Sequence, residues 1–243
     1  MSEFLVATDA HGATLDDLVA TYKSLVVSGS KDIKWFVYGA VPDAVKHLQR
    51  RWSFRRVRVV ATADEFKTSD FVIFLNAGDG LYRESLVSVR EAIHKNAATD
   101  LIYGDAAHPT GIKAEPLSFV RRPGWSPERL RGHCYVGETL VARTEVVERA
   151  GGITELVVQH PHDRALRLTE NAKNIVRMPE LLTMAKSRDT RPSASLDAVI
   201  KHCARQKIDA NCELDAAVPS VRVKRNLTTQ PSVAVIVPTR GTS

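Results

Sequence analysis

The sequence has no long apolar run and few cysteines, and each absence narrows the kind of protein that it encodes. No stretch approaches the roughly 20 consecutive apolar residues of a membrane-spanning helix. The start, MSEFLVATDA, also lacks the basic and then apolar pattern of a secretory signal, so we expect a cytoplasmic protein that works in solution or at the inner face of the membrane. The three cysteines, Cys134, Cys203 and Cys212, have no metal-ligand spacing, which favours buried free thiols.

Motifs for nucleic-acid recognition are missing, although the chain is basic. The formal net charge is +6, and basic residues form short runs at 50–51, 55–58, 121–122 and 222–225. Such runs suit a nucleic acid, an anionic lipid or a phosphorylated substrate, and they also occur on ordinary solvated surfaces. No helix-turn-helix, zinc-finger or RNP-like aromatic pattern accompanies them. We therefore expect no nucleic-acid partner, and we keep peripheral membrane contact as an alternative.

Apolar runs with strand and helix periodicity alternate in the first part of the chain. Runs typical of buried strands lie at 4–7, 34–38, 56–61, 71–75 and 101–103. Between them, apolar residues recur at helical spacing at about 15–26, 42–52 and 83–94. This order predicts an α/β fold with a twisted, mainly parallel sheet and helices on both faces.

The second half of the chain has a different composition. Residues 106–137 are rich in Pro, Gly and Arg, which predicts loops and short strands, and helices follow at 144–150, 163–171 and 197–206. The last segment, PSVAVIVPTRGTS, contains a buried-strand pattern that opens a new strand–helix unit. We thus predict a domain at 1–220, a linker at 221–231 and, at 232–243, the first strand of a second domain of a longer chain.

The stretch FVIFLNAGDGL, residues 71–81, leads a predicted buried strand into a polar loop. The carboxyl end of a parallel strand is where α/β proteins place their ligands. An Asp-x-Asp sequence in such a loop would hold a divalent metal ion on a diphosphate, because hard cations prefer charged oxygen ligands. Here the two positions are Asn76 and Gly78, and only Asp79 is acidic. The loop therefore raises the question of a metal site that has lost its ligands.

Distinctive motifs recur in a fixed order along the chain. They are Tyr103-Gly104-Asp105, Pro123-Gly124-Trp125-Ser126-Pro127, Cys134-Tyr135-Val136-Gly137, a helix that closes on Gly151-Gly152, and the strand SVAVIVPTRGTS. Together they resemble the family 2 glycosyltransferases of bacterial polysaccharide synthesis, over nearly all of residues 3–190, and the segment at 233–243 would start a second copy. The resemblance implies a GT-A fold that holds a nucleotide sugar at the carboxyl edge of the sheet and transfers the sugar, usually with inversion.

The resemblance also assigns roles to particular positions. The nucleotide-sugar positions are Thr8, Tyr38, Asn76, Asp79 and Asp105. The acceptor or glycan side comprises Arg121, Arg122, Trp125 and Tyr135. Aromatic faces suit sugar rings, although the two aromatic residues equally fit core packing, and the arginine pair suits a phosphorylated or lipid-linked acceptor or the membrane surface.

The residues that would carry the reaction depart from the family pattern. Asn76 and Gly78 replace the metal-binding acids and Met184 replaces a metal-binding histidine, so we expect no Mg²⁺ or Mn²⁺ cofactor. The catalytic aspartate of the family falls at Pro161, which cannot accept a proton, and the neighbouring Asp163 is the remaining candidate base.

Simpler roles are available for several of these residues. Asp79 and Asp163 each fit the cap of the helix that follows, and His160 and His162 could be a metal-binding pair. We expect a catalytically degenerate glycosyltransferase domain that serves as a scaffold or binds glycan in front of an active second copy. The alternative is an active, metal-independent inverting enzyme, in which arginine or lysine replaces the cation at the diphosphate of a nucleotide sugar.

Overall fold

The computed structural model of the chain describes residues 3–29, 33–39, 57–60, 69–186, 192–229 and 232–238, together with Asp43 and Lys46. The helix predicted at 42–52 lies mostly outside the described residues. The described strands are β1 (Phe4–Asp9), β2 (Ile33–Tyr38), β3 (Val57–Val60), β4 (Phe71–Phe74), β5 (Gly80–Leu81), β6 (Leu101–Ile112), β7 (Glu115–Val120), β8 (Leu140–Arg143), β9 (Ile175–Met184), β10 (Ala210–Leu214) and β11 (Val221–Arg225). The helices are α1 (Leu15–Val27), α2 (Ser85–Lys95), α3 (Pro127–Gly132), α4 (Thr144–Arg149), α5 (Ile153–Val158), α6 (Pro161–Asn171) and α7 (Pro192–Arg205).

One large mixed sheet organises these elements, in the order β3-β2-β1-β4-β8-β6-β9-β5, with β7 paired to β6. Strands β3, β2, β1 and β4 run parallel to one another. Strand β8 is antiparallel to both β4 and β6, so β6 and its parallel neighbour β9 point the same way as β4. The predicted α/β fold with a mainly parallel sheet is confirmed. Its consequence for function is that β1, β2, β4 and β6 direct their carboxyl ends toward one edge.

Helices cover both faces of the sheet because the apolar strands alternate their side chains. On one face, Phe4 and Val6 pack with residues of α1 and α2. On the other face, Leu5 and Ala7 pack with residues of α3 to α7. Each fully buried Leu, Val or Phe side chain contributes about 1.5–3 kcal/mol relative to an exposed one, so the strands cannot be moved without a large loss.

Helix α1 begins directly after the loop that leaves β1. Thr14 and Asp17 form a capping box, in which the Thr14 hydroxyl accepts from the Asp17 N–H and the Asp17 carboxylate accepts from the Thr14 N–H, both at 3.2 Å. Asp17 also bonds Lys186, which follows β9. The hydrogen bonds from Lys186 and Thr14 lower the pKa of Asp17 to about 2. This pair therefore links the start of α1 to the end of β9, at the edge of the sheet where β1, β2, β4 and β6 have their carboxyl ends. We call it the ligand edge, because α/β proteins bind their ligands there.

The region at 106–137 is more regular than the sequence predicts. Strand β6 continues to Ile112 and turns back as β7, with Ala106 opposite Val120 and an irregularity beyond Pro109. Proline and glycine lower the strand propensity of this stretch, but pairing with a neighbouring strand overrides local propensity. The result is a hairpin that projects beyond the carboxyl edge.

The predicted linker at 221–231 is wrong in its first part, because residues 221–225 form strand β11. This strand pairs with β10 in a separate two-stranded sheet. Val221 is buried in the core, and Arg225 bonds Glu128 of α3 at 2.8 Å. Valine alternates with basic residues in this run, which is the pattern of a half-buried strand, but the basic residues made the segment look like a polar linker. Residues 232–238 form no strand, and Val233 and Ile236 are exposed, so their place in a second domain stays a prediction.

The three cysteines are free, as expected, but of the three only Cys203 is buried, and Cys134 is half-buried. Cys203 is buried on α7 and Cys212 lies half-buried on β10, with 3.9 Å between the two Sγ atoms.

None of the helices in the described residues combines the length and the apolar character of a membrane span.

Candidate functional site

A cleft of ≈ 760 Å³ lies at the ligand edge of the sheet. Its floor comes from the loop after β4 and the loop at 132–139. Its walls come from the base of the β6–β7 hairpin, the first residues of α6 and α7, and the β10–β11 hairpin. The cleft therefore lies where the topology directs strand ends, beside the segments that resemble acceptor-binding motifs.

The loop after β4 contains an amide group between two carboxylates. The Asn76 Nδ2 donates to an oxygen of Asp79 at 3.4 Å and to the carboxylate of Glu138. Asp79 is buried and also accepts from the backbone N–H of Lys186 at 2.5 Å. The orientation of the amide follows from this network, since the opposite orientation would point its oxygen at two carboxylates. Both acids are thus stabilised by N–H groups.

These residues do not fit a divalent cation. The amide NH₂ of Asn76 occupies the space between Asp79 and Glu138, and Gly78 offers no side chain. Met184, on β9 opposite Gly80, offers only a thioether, which is a poor ligand for hard cations. In the part of the chain that the structure describes, no group of three or more His, Cys, Asp or Glu side chains could hold a metal ion.

Glu138 is the member of this cluster that sequence reasoning missed. It follows directly on the motif Cys134-Tyr135-Val136-Gly137, and its contact with Asn76 spans 62 residues. The signal available in the sequence was an acidic residue directly after a recognised motif. Asp79 does not cap the next helix as predicted, because α2 begins only at Ser85 and Glu84 is its N-cap residue.

The predicted nucleotide positions on β1 and β2 have different surroundings. Thr8 is fully buried, and its hydroxyl accepts from Trp35 Nε1 at 2.9 Å, so it belongs to the core. Tyr38 is half-buried at the end of β2, with its ring centroid 5.6 Å from that of His11. Gly39 has φ +71, and a Cβ there would lie 2.4 Å from the His11 ring. Tyr38 and His11 thus form a packed aromatic pair at the strand ends.

Asp105 joins three strands. Its carboxylate accepts from the backbone N–H of Arg122 at 2.9 Å and from the Arg177 guanidinium at 3.1 and 3.3 Å. Asp105 is buried; its ion pair connects β6 with β9, and its hydrogen bond from Arg122 connects β6 with the segment that follows β7. The structure therefore gives Asp105 a positioning role for the loop that begins at Arg121.

Two of the predicted acceptor-side residues shape the cleft wall. Arg122 donates to the carbonyls of Gly104 at 3.0 Å and Tyr135 at 2.6 Å. Its guanidinium lies against Gly137, which has φ +88 and leaves no room for a Cβ. The Tyr135 ring is buried, and its hydroxyl accepts from the N–H of Ser126 at 2.7 Å. Both residues line the cleft, but their polar groups are engaged within the fold.

The other two acceptor-side residues differ in exposure. Trp125 is half-buried and packs against the core, and the cleft does not include it. Arg121 is exposed and lines the cleft.

Asp163 is not brought into the cleft. It lies in the first turn of α6, where it accepts from Arg167 at 2.8 Å and lies 3.4 Å from Arg205. The predicted cap is wrong, because His160 caps α6 by accepting from the N–H of His162 at 3.4 Å. Both carboxylate oxygens of Asp163 thus contact arginine side chains of α6 and α7, outside the cleft.

The two histidines near this position have structural roles. The Nε2 of His162 donates to the carbonyl of Leu130 at 2.6 Å, and burial lowers its pKa to about 4. The Nδ1 of His160 is engaged with the N–H of His162. Pro161 lies between them as the first residue of α6 and lines the cleft, so the family position of the base carries no proton acceptor.

Comparisons with known proteins place these observations in a family context. No protein-family model matches the chain. The O-antigen biosynthesis protein RfbC of Myxococcus xanthus is 30% identical over 260 aligned residues, which cover 95% of this chain and 20% of that protein. The chain thus spans about one fifth of the length of this curated relative.

Solved structures with a similar fold include S. aureus TarS. The crystal structure of TarS 1–349 has a TM-score of 0.58 and 13% identity, and the match covers 83% of this chain and 64% of that chain. The same TarS segment in complex with UDP has a TM-score of 0.53 and 11% identity, covering 82% of this chain and 65% of that chain. The likeness establishes the fold, and together with the RfbC match it confirms the resemblance to polysaccharide glycosyltransferases of the GT-A type.

Proposed function

Starting from a glycosyltransferase-like domain of the GT-A fold, we propose that this chain is a catalytically degenerate domain of a protein that builds a bacterial cell-surface glycan. In this proposal the domain binds glycan or acts as a scaffold for a glycosyltransferase domain that follows it in the same, longer chain. It works in the cytoplasm or at the inner face of the membrane. The name of the relative RfbC, an O-antigen biosynthesis protein, supports the substrate class.

The observation that carries the proposal is the position of the Asn76 amide between Asp79 and Glu138. Transfer from a nucleotide sugar requires positive charge at the leaving diphosphate and a base at the acceptor hydroxyl. At the loop after β4, both acids are occupied by N–H donors of the protein. At the position of the base, Pro161 faces the cleft and Asp163 is paired with arginines elsewhere.

An active, metal-independent inverting glycosyltransferase is the second candidate, and one observation favours it. Arg121, Arg122 and Arg129 line the cleft, so positive charge is available without a metal. Arginine side chains can stabilise a leaving diphosphate. This candidate would still require a base that the described residues of the cleft do not supply at Pro161.

Calorimetric titration separates the two candidates. UDP, GDP, dTDP and the UDP and GDP sugars are titrated into the protein, each with and without Mn²⁺. The degenerate domain should give no heat with any of them, and we expect this result. Micromolar binding that needs no metal would contradict degeneracy and support arginine-assisted transfer, with Asp163 and Asp105 as the next residues to replace.

A further inference from the structure

We propose that Arg121, Arg129 and His133, here called the arginine wall, bind a phosphate group carried by the glycan ligand of the cleft. The proposal rests on the glycan-binding role proposed above and names the chemical class of the ligand. It also assigns the contact to specific residues, of which Arg129 and His133 carry no role in the family resemblance.

The charges that line the cleft are strongly unbalanced. Among the described residues that line the cleft, Arg121, Arg122 and Arg129 are accompanied by two acids, Asp79 and Glu138. Both acids are already bonded to the amide of Asn76, and Asp79 also to a backbone N–H. They are therefore poor partners for the arginines, and the cleft has an excess of positive charge.

Two of the three arginines have their guanidinium groups available. The guanidinium of Arg122 is engaged within the fold, because it donates to the backbone carbonyls of Gly104 and Tyr135. Arg121 and Arg129 are exposed, and within the described residues neither guanidinium forms a hydrogen bond or an ion pair. A guanidinium presents several N–H donors in a fixed plane and matches phosphate geometry.

The wall is partly preorganised by one aromatic ring. The guanidinium carbon of Arg129 lies 5.9 Å from the centroid of the Tyr135 ring, and the His133 ring centroid lies 6.2 Å from it. The pKa of His133 is lowered, first by desolvation and then by the charges of Arg129 and Arg122. The imidazole thus already experiences the positive field that an anion would neutralise.

The wall lies on the acceptor side of the sheet. It follows β7, which pairs with β6, whereas Tyr38 ends β2. Four strand spacings separate β2 from β6, which at about 4.8 Å each gives roughly 19 Å. The arginine wall is therefore distant from the end of β2, where the family reads its nucleotide base, so we assign it to the glycan.

Glucose 1-phosphate is the probe, with glucose as its uncharged counterpart. Binding to the full chain is measured by calorimetry and by the shift of the His133 Cε1 proton resonance. We expect glucose 1-phosphate to bind and to move this resonance, with an affinity that falls as salt is added, and we expect glucose to leave the resonance in place. The double variant Arg121→Gln/Arg129→Gln should bind at least tenfold more weakly.

Arg83→Gln is the matched control, because Arg83 is exposed and lies outside the cleft. It should keep the affinity of the unmodified protein. The proposal is overturned if glucose 1-phosphate does not bind, if glucose binds equally well, or if the double variant keeps its affinity. These outcomes are independent of the nucleotide titration. Nucleotide binding without metal would contradict the proposed degenerate function, whereas a failure to bind glucose 1-phosphate would contradict only phosphate binding by the arginine wall.

Discussion

Asn76 lies between two carboxylates, and the contribution of its amide to the free energy of unfolding can be measured. Asn76→Asp would place a third carboxylate beside Asp79 and Glu138 and remove the N–H groups that both accept. We expect a loss of about 2–3 kcal/mol in the free energy of unfolding, because partly buried acids lose their donors. The measurement is urea unfolding, with and without Mn²⁺.

Mn²⁺ should restore part of the stability of the Asn76→Asp variant, since three carboxylates suit a cation. Asn96→Asp is the control, because Asn96 is exposed and its side chain only accepts, from the N–H of Ala98. If Asn76→Asp is as stable as the parent without metal, the bridging role of the amide is wrong.

The buried imidazole of His162 predicts a pH dependence of stability. Its pKa is about 4 in the folded protein and about 6.5 when unfolded, so the unfolded chain takes up the proton first as the pH falls. The stabilisation is complete above pH 6.5 and is lost progressively between pH 6.5 and 4, by about 3 kcal/mol in total. His162→Gln should flatten this part of the stability profile.

His94→Gln is the matched control for His162, because His94 is exposed on α2. Unfolding free energies at several pH values between 4 and 7 provide the comparison. An unchanged profile in His162→Gln would show that the loss of stability arises at other groups.

The sequence identified several chemically important residues without revealing their partners. Asp79, Asp105 and Asp163 were recognised as acids at functional positions, yet their partners Lys186, Arg177 and Arg205 lie 107, 72 and 42 residues away. Local rules assigned helix caps to two of these acids, because capping is visible within four residues of sequence. Contacts across the sheet are not visible at that range.

At the scale of elements, strands with clean apolar runs were predictable and mixed ones were not. Strands β1, β2, β3 and β4 are apolar enough to be read directly. The start of β6, at 101–103, was predicted, but its continuation through Gly104 and Pro109 was not, and β11 alternates valine with arginine and lysine. These two strands form because neighbours pair with them, which propensity alone does not encode.

The proximity of α7 and β10 can be tested chemically. The Sγ atoms of Cys203 and Cys212 are 3.9 Å apart, so a small movement brings them to bonding distance. Treatment with a disulfide-forming oxidant such as diamide should join them, with loss of two thiols and two hydrogen atoms per chain. Closing this short loop should stabilise the protein by about 2–3 kcal/mol through restriction of the unfolded chain.

Reaction of Cys203 and Cys212 should be slow, because burial and the neighbouring thiol raise the pKa of Cys212 to about 11. Mass spectrometry after digestion identifies the bond, and Cys212→Ser serves as the control that retains the other two thiols. A cross-link that forms only in denaturant, or that involves Cys134 instead, would contradict the packing of α7 on β10.

At the scale of the whole molecule, strand–helix alternation and spaced motifs were sufficient to predict the fold. The mainly parallel sheet and the covering of both its faces agree with those predictions. The site was only partly predictable, because motif positions recovered Arg121, Arg122 and Tyr135 of the cleft but not Glu138, Arg129 or His133. Those three residues lie in the connection between β7 and β8, on α3 and in the segment after it, and only the fold shows that they face the cleft.

The position of β8 in the sheet also sets an order of events during synthesis. Strand β8 lies between β4 and β6, although β4 ends at Phe74 and β8 begins at Leu140. The parallel strands β1 to β4 can associate as soon as they leave the ribosome, but the apolar edge of β4 then waits for a partner 66 residues later in the chain (140 minus 74). At about 5–20 residues per second this wait lasts roughly 3–13 s. During that interval the nascent domain exposes an unpaired strand, so its yield in the cell depends on protection of that edge as much as on the stability of the finished fold.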